Sequence, residues 1–204
     1  MANERSDAQS VDPSSTIALA RLAASGDSAA TGKLLRALSP RLVRVVRTVL
    51  GGMHPDVDDA VQQALIGFVQ ALPAFRGDCE PIGYATVIAV RAAVAVRKRA
   101  RNDRARRDDD AEMDAMPGHR PTPGEELAAH RRKELVRDLL AELPSEQAEA
   151  LAMRIALGWS LEEIASQSGA PLNTVRSRLR LAKEALKRRI VSDAGLLEAL
   201  EVGT

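Results

Sequence analysis

The chain has 204 residues, a hydrophobic share of 45% and a formal net charge of +1, which is enough apolar material for one ordinary domain or two small ones. Two Phe, one Tyr and one Trp among abundant Ala, Leu, Val and Arg argue against sandwiches and barrels and predict an all-α protein. One cysteine, Cys79, rules out an internal disulfide, and three histidines beside one thiol do not build a closed zinc site, so composition calls for no metal, no cofactor and a reducing cytoplasm.

In chain order, residues 1–15 read as a disordered polar tail with no apolar signal core. The stretch "STIALARLAASGDSAATGKLLRALSPRLVRVVRTVLGG" then predicts three short helices: Ser14 or Ser15 caps the first, Gly26 ends it, Asp27 caps the second, and Ser39-Pro40 opens the third. Asp56 is the expected cap of the next helix, with Val57, Val61, Leu65, Phe68, Val69 and Leu72 on its buried face. The run "PIGYATVIAVRAAVAV" is broken by Arg91 and falls short of the ~20 residues that cross a bilayer, so it reads as a buried core helix and no membrane contact is expected. It leads into a basic block ending near Arg107.

"DDDAEMDAMPGHRPTPGEE" follows as a flexible acidic linker rich in Pro and Gly, over 108–130. A second small helical domain covers 131–190, with Pro144 separating two of its helices, and 191–204 form a C-terminal tail. The two basic blocks, Arg91 to Arg107 and Arg176 to Arg189, flank the acidic segment, a pattern suited to two contacts with a polyanion.

Two motifs carry function. In "SLEEIASQSGAPLNTVRSRLRLAKEALKRRI", Ser160 and Glu163 form a capping box, Gly169 supplies a tight turn, and a second helix starts near Leu172. Val175, Leu179, Ala182 and Leu186 form its buried stripe. Asn173, Thr174, Arg176, Ser177, Arg178, Arg180 and Lys183 point outward or sideways, as in a helix-turn-helix whose second helix enters the major groove. The other motif is "MHPDVDDAVQQAL". Its carboxylates suit the positive end of a helix dipole, and adjacent residues diverge too far around a helix to converge on a metal. The chain therefore carries no evident catalytic group.

At this point the chain resembles the extracytoplasmic-function group of bacterial RNA polymerase sigma factors. "DVDDAVQQALIGFVQALPAFRG" is similar to that family's second region and "ELPSEQAEALAMRIALGWSLEEIASQSGAPLNTVRSRLRLAKEAL" to its fourth. The resemblance implies a region 2-like bundle at 16–107 and a region 4-like helix-turn-helix at 131–190. It implies core RNA polymerase as a partner, docked through Asp58, Asp59, Gln62 and Gln63, and promoter DNA as another. Asn173 to Lys183 would read the upstream element, and Tyr84, Arg91, Arg97, Lys98 and Arg101 would meet the downstream element as it opens. It also leaves room for an anti-sigma factor. The chain departs from the family's pattern in offering Tyr84 alone in the promoter-opening helix, Val69 where tryptophan is common and Gln63 where glutamate is common. The alternative is a helix-turn-helix regulator that binds DNA without polymerase.

Overall fold

The computed structural model describes residues 13–75, 77, 79–110 and 137–192, and among them it contains helices and turns with no strand. The first helix, α1 (Pro13–Ala24), starts with proline, whose fixed φ suits a first turn, so residues 13–15 are helical. Gly26 leaves it at φ 95°. Asp27 then caps α2 (Ser28–Leu50), its carboxylate accepting the Ala30 N–H at 2.9 Å.

α2 is one helix and not the two that Ser39-Pro40 suggests. Proline in a helix interior costs about 3 kcal/mol, because the carbonyl one turn back loses its donor. Here Leu34, Leu38, Leu42, Val45, Val46 and Val49 form an unbroken buried stripe on both sides of Pro40, and breaking the helix would expose half of it. Pro40 itself faces solvent, and Ser39 Oγ donates to the Leu35 carbonyl at 2.6 Å. Gly51, at φ 106°, ends the helix with its N–H on the Arg47 carbonyl.

α3 (Val57–Ala71) is turned relative to the stripe read from sequence. Val57, Ala60, Ala64 and Phe68 are buried, Val61 and Leu65 are half-buried, and Val69 is exposed. The small residues lie inward because the neighbouring helix comes close: a Cβ on Gly67 would sit 3.3 Å from Ile88 Cγ2. A 3-10 turn, Leu72–Ala74, leads to Phe75.

α4 (Pro81–Asp110) is the central helix. Ala85, Val87, Ala89, Val90, Ala93, Val94 and Val96 are all buried, so up to Val96 the helix is apolar nearly all round, as a helix covered on several sides must be. It extends through Asp108 to Asp110, into the stretch expected to begin the linker. The rest of the expected linker, most of the N-terminal tail and the C-terminal residues from 193 lie outside the described residues.

The second unit resumes with a helical segment at 137–142. Pro144 breaks it, and α5 (Ser145–Ala156), α6 (Leu161–Ser168) and α7 (Leu172–Val191) follow. α4 packs against α2 and α3 on one side and against α5 and α6 on the other. The buried side chains of both units thereby join in one continuous core. No helix among the described residues is long and apolar enough to cross a membrane.

Candidate nucleic-acid interface

The helix-turn-helix forms from local chemistry. Ser160 Oγ accepts the Glu163 N–H at 3.1 Å, and the Glu163 carboxylate accepts the Ser160 N–H at 2.7 Å. Two orphan donors at the start of α6 are thereby satisfied. Gly169, left-handed at φ 68°, ends α6 in a conformation that a side chain would strain. α7 follows at once, with Val175, Leu179 and Ala182 buried against α5 and α6.

That register fixes what α7 presents. Asn173, Arg176, Ser177, Arg180 and Lys183 are exposed, while Thr174 and Arg178 are half-buried. Arg176 donates to Asn173 Oδ1 at 3.3 Å, and Arg180 pairs with Glu184 at 2.8 Å along the helix. Such exposed pairs are worth about 0.5 kcal/mol or less and yield readily to a base or phosphate. Arg178 differs. Its Nη2 lies 2.7 Å from Glu146 Oε2 on α5, so it braces α7 against α5 and is turned away from the outer face. The outer N-terminal face thus offers Asn173 and Arg176, whose side chains match adenine and guanine edges, beside the phosphate-sized donor Ser177.

In the first unit, Asp58, Asp59, Gln62 and Gln63 on α3 are exposed, and Ile66 and Val69 are exposed one turn further along. Asp56 holds the cap position without a side-chain cap bond, and His54 Nδ1 accepts its N–H at 3.2 Å. Among the described residues no three His, Cys, Asp or Glu side chains gather as metal ligands would. Exposed apolar side chains next to polar ones are a composition that suits protein docking.

The α4 cations are placed in a way that sequence reasoning did not anticipate. Tyr84, Arg91, Lys98 and Arg101 fall on one helical stripe with Val87 and Val94 between them, and this stripe meets the second unit. Arg91 Nε lies 3.2 Å from Glu149 Oε2, Lys98 Nζ donates to Ser145 Oγ at 3.1 Å, and Arg101 lies 3.5 Å from Glu142. Arg97 is only 7% exposed. Its guanidinium donates to the Leu50 carbonyl at 2.9 Å and the Arg137 carbonyl at 3.0 Å, and it lies 3.3 Å from Asp138. Tyr84 packs on Phe75 and Phe68, with ring centroids 5.6 and 6.3 Å away. The missed signal was complementary spacing: Asp138, Glu142, Ser145 and Glu149 also recur at three- and four-residue steps, opposite in sign to the α4 stripe.

Two carboxyls in these structures titrate in opposite directions. The hydrogen bonds from Ser160, backbone first, hold the Glu163 carboxyl below the usual glutamate range. Burial pushes Glu149 up, against the lowering effect of Arg91. A 3.2 Å ion pair and a raised pKa look contradictory, but removing a carboxylate from water often costs more than one partner returns. By linkage, the capping contribution of Glu163 is present above its unfolded pKa and fades as pH falls through its folded value. Glu149 has the opposite sign: its contribution is complete below the unfolded pKa and is lost as pH rises through the folded one. Carboxyl NMR titration is expected to find Glu163 below and Glu149 above an unstructured glutamate. The reverse order would mean that the Arg91 contact outweighs burial.

Comparison with known proteins identifies the assembly. Residues 34–103 match the Sigma-70 region 2 family and residues 133–186 match Sigma-70, region 4. The chain is 30% identical over 145 residues to the ECF RNA polymerase sigma-E factor of Escherichia coli strain K12, covering 66% of this chain and 74% of that protein. The chain belongs to the ECF RNA polymerase sigma factors. The ECF sigma factor SigD of Mycobacterium tuberculosis strain H37Rv is 29% identical over 195 residues, 89% of this chain and 90% of that one. The fold of this sigma factor is similar to that of CnrH in complex with the cytosolic domain of CnrY, with a TM-score of 0.50, 23% identity and coverage of 88% of this chain and 99% of that one. A sigma factor directs core RNA polymerase to promoters and catalyses no reaction itself. The reading as an independent helix-turn-helix regulator therefore gives way to promoter recognition with polymerase.

Proposed function

We propose that this sigma factor divides its work among three faces. On α3, Asp58, Asp59, Gln62 and Gln63, with Ile66 and Val69, dock on core polymerase. On α7, Asn173, Thr174, Arg176, Ser177, Arg180 and Lys183 read the upstream promoter element, and Arg178 holds the helix in register. On α4, the stripe of Tyr84, Arg91, Lys98 and Arg101, with Arg97 beside it, meets the downstream element during opening. The region 2-like unit is assigned to residues 16–107 and the region 4-like unit to 131–190. The factor works in the cytoplasm, where core polymerase and DNA are found, and an anti-sigma factor is the third class of partner.

The observation that carries this reading is the presence, on one chain, of an exposed cationic α7 face behind a capped turn and an exposed polar-apolar α3 face. Each DNA contact is modest alone, and polymerase supplies the effective concentration that makes two of them selective. Promoter-directed run-off transcription with purified core polymerase is the test. Arg176→Ala is expected to weaken upstream-element recognition by about 1–3 kcal/mol, roughly 5- to 150-fold, and to leave retention on core unchanged. Loss of core retention with it would place Arg176 in the polymerase contact and refute the assignment of α7.

A further inference from the structure

Helical period divides the exposed surface of α7 into two flanks. Arg176, Arg180, Lys183 and Lys187 follow at steps of four, three and four residues, so these exposed cations share one side of the helix. Thr174, Ser177 and Leu181, at steps of three and four, share the other. Up to Leu181 this second flank presents no outward cation, because Arg178, which borders it, is drawn to Glu146 on α5 at 2.7 Å. Leu181 is 41% exposed, although Leu179 and Ala182 beside it in sequence are buried. A single exposed leucine is ordinary on a protein surface. This one stands one turn beyond Ser177, on the outer face that the capped turn before α7 presents. Glu184, the one carboxylate of α7, is held by Arg180 at 2.8 Å, so DNA approaching Leu181 meets no unpaired negative charge from the helix.

We propose that Leu181 is a specificity-determining residue that selects thymine in the upstream element by packing on its C5-methyl group, while the cationic flank meets phosphates and guanine. The inference rests on the assignment of α7 to that element and adds a base to it. Among the four bases only thymine presents a methyl group in the major groove, and the other edges there are donors and acceptors. A leucine side chain offers neither. Against it a polar base edge loses water without gaining a hydrogen bond, whereas a methyl group gains by leaving water. Leu181 also addresses its own base pair: it lies about 12 Å along the helix axis from Asn173, roughly three rises of ~3.4 Å between stacked base pairs.

Deoxyuridine supplies the test, because it differs from thymidine by that methyl group alone. Promoter duplexes randomised across the upstream element are transcribed by the full chain with purified core polymerase, and productive templates are identified from barcodes in their transcripts. The unaltered factor is expected to enrich thymine at a position where Leu181→Ala enriches no base, with the remaining preferences shared. Replacing that thymidine with deoxyuridine should lower transcript at limiting factor by about 4-fold, the worth of one methyl group leaving water. The Leu181→Ala transcript should not respond, and Leu181→Met, which keeps an apolar reach, should restore the response. Identical base preferences in the unaltered factor and Leu181→Ala, or an equal response of both to deoxyuridine, would overturn the proposal. So would loss of core retention by Leu181→Ala, which would place the leucine against polymerase, or loss of every base preference at once, which would make it a support of the fold. If the unaltered factor selects no upstream base, the assignment of α7 fails and this inference with it. Preferences that vanish with Arg176→Ala but all survive Leu181→Ala would overturn this inference alone.

Discussion

Asp59→Arg combined with Gln62→Ala is expected to abolish retention of the sigma factor on core RNA polymerase while leaving its circular dichroism unchanged. Both side chains are exposed on α3, and neither belongs to the buried set of Val57, Ala60, Ala64 and Phe68. The folded state therefore loses little. An arginine in the first turn opposes the helix dipole at a cost of about 0.3–1 kcal/mol, well below the stability of a domain of this kind. At an interface the same change is larger, because reversing a docked charge leaves the partner's charge unpaired and adds repulsion, about 2–5 kcal/mol, and it acts mainly on dissociation. Pull-down with purified core polymerase reads this directly. Wild-type retention with an unaffected double variant would move the docking surface off α3. The exposed Ile66 and Val69 explain why a charge change alone need not remove every trace of encounter at low salt.

Phe68→Ala is expected to produce the largest loss of stability, about 3–5 kcal/mol for removing a buried aromatic side chain. Phe68 is fully buried and among the largest such side chains in the protein, and its ring packs 6.3 Å from that of Tyr84. It sits where α3 meets α4, beside the buried Ala64 of its own helix. Urea unfolding should show the midpoint falling at nearly constant slope. Val69→Ala, one residue along and exposed, should stay within about 0.5 kcal/mol of the parent. A similar loss in both would mean that α3 is oriented as the sequence pattern suggested and not as packing sets it. A loss well under 2 kcal/mol at Phe68 would mean that the α3–α4 seam relaxes to close the cavity.

The contrast between Phe68 and Val69 shows how far sequence reasoning reaches. Features set by residues within one helical turn of each other were legible in advance. Asp27 caps α2, Ser160 and Glu163 form their reciprocal box, and Gly169 turns the chain into α7, because each depends on a hydrogen bond or backbone angle that the local sequence fixes. The outward set Asn173, Arg176, Ser177, Arg180 and Lys183 was legible too, since helical period alone separates it from Val175, Leu179 and Ala182. The all-helical class and the likeness to sigma factors followed from composition and these motifs.

Contacts between residues far apart in the chain decided the rest. α2 continues through Pro40 because its long buried stripe against neighbouring helices outweighs one missing hydrogen bond, a comparison that propensity does not make. α3 turned its alanines inward because Gly67 lets α4 approach, and helix orientation follows the closest packing rather than the largest side chains. Arg97, basic and unremarkable in sequence, became a buried tie because Leu50 and Arg137 present carbonyls to it across 47 and 40 residues of chain. Arg178 turned to Glu146 for the same kind of reason. Sequence by itself determined which residues carry charge, where locally capped helices such as α6 begin, and which family the chain resembles. Only the tertiary structure decided which cations face solvent and which face protein, because that choice depends on the surface that arrives opposite each one.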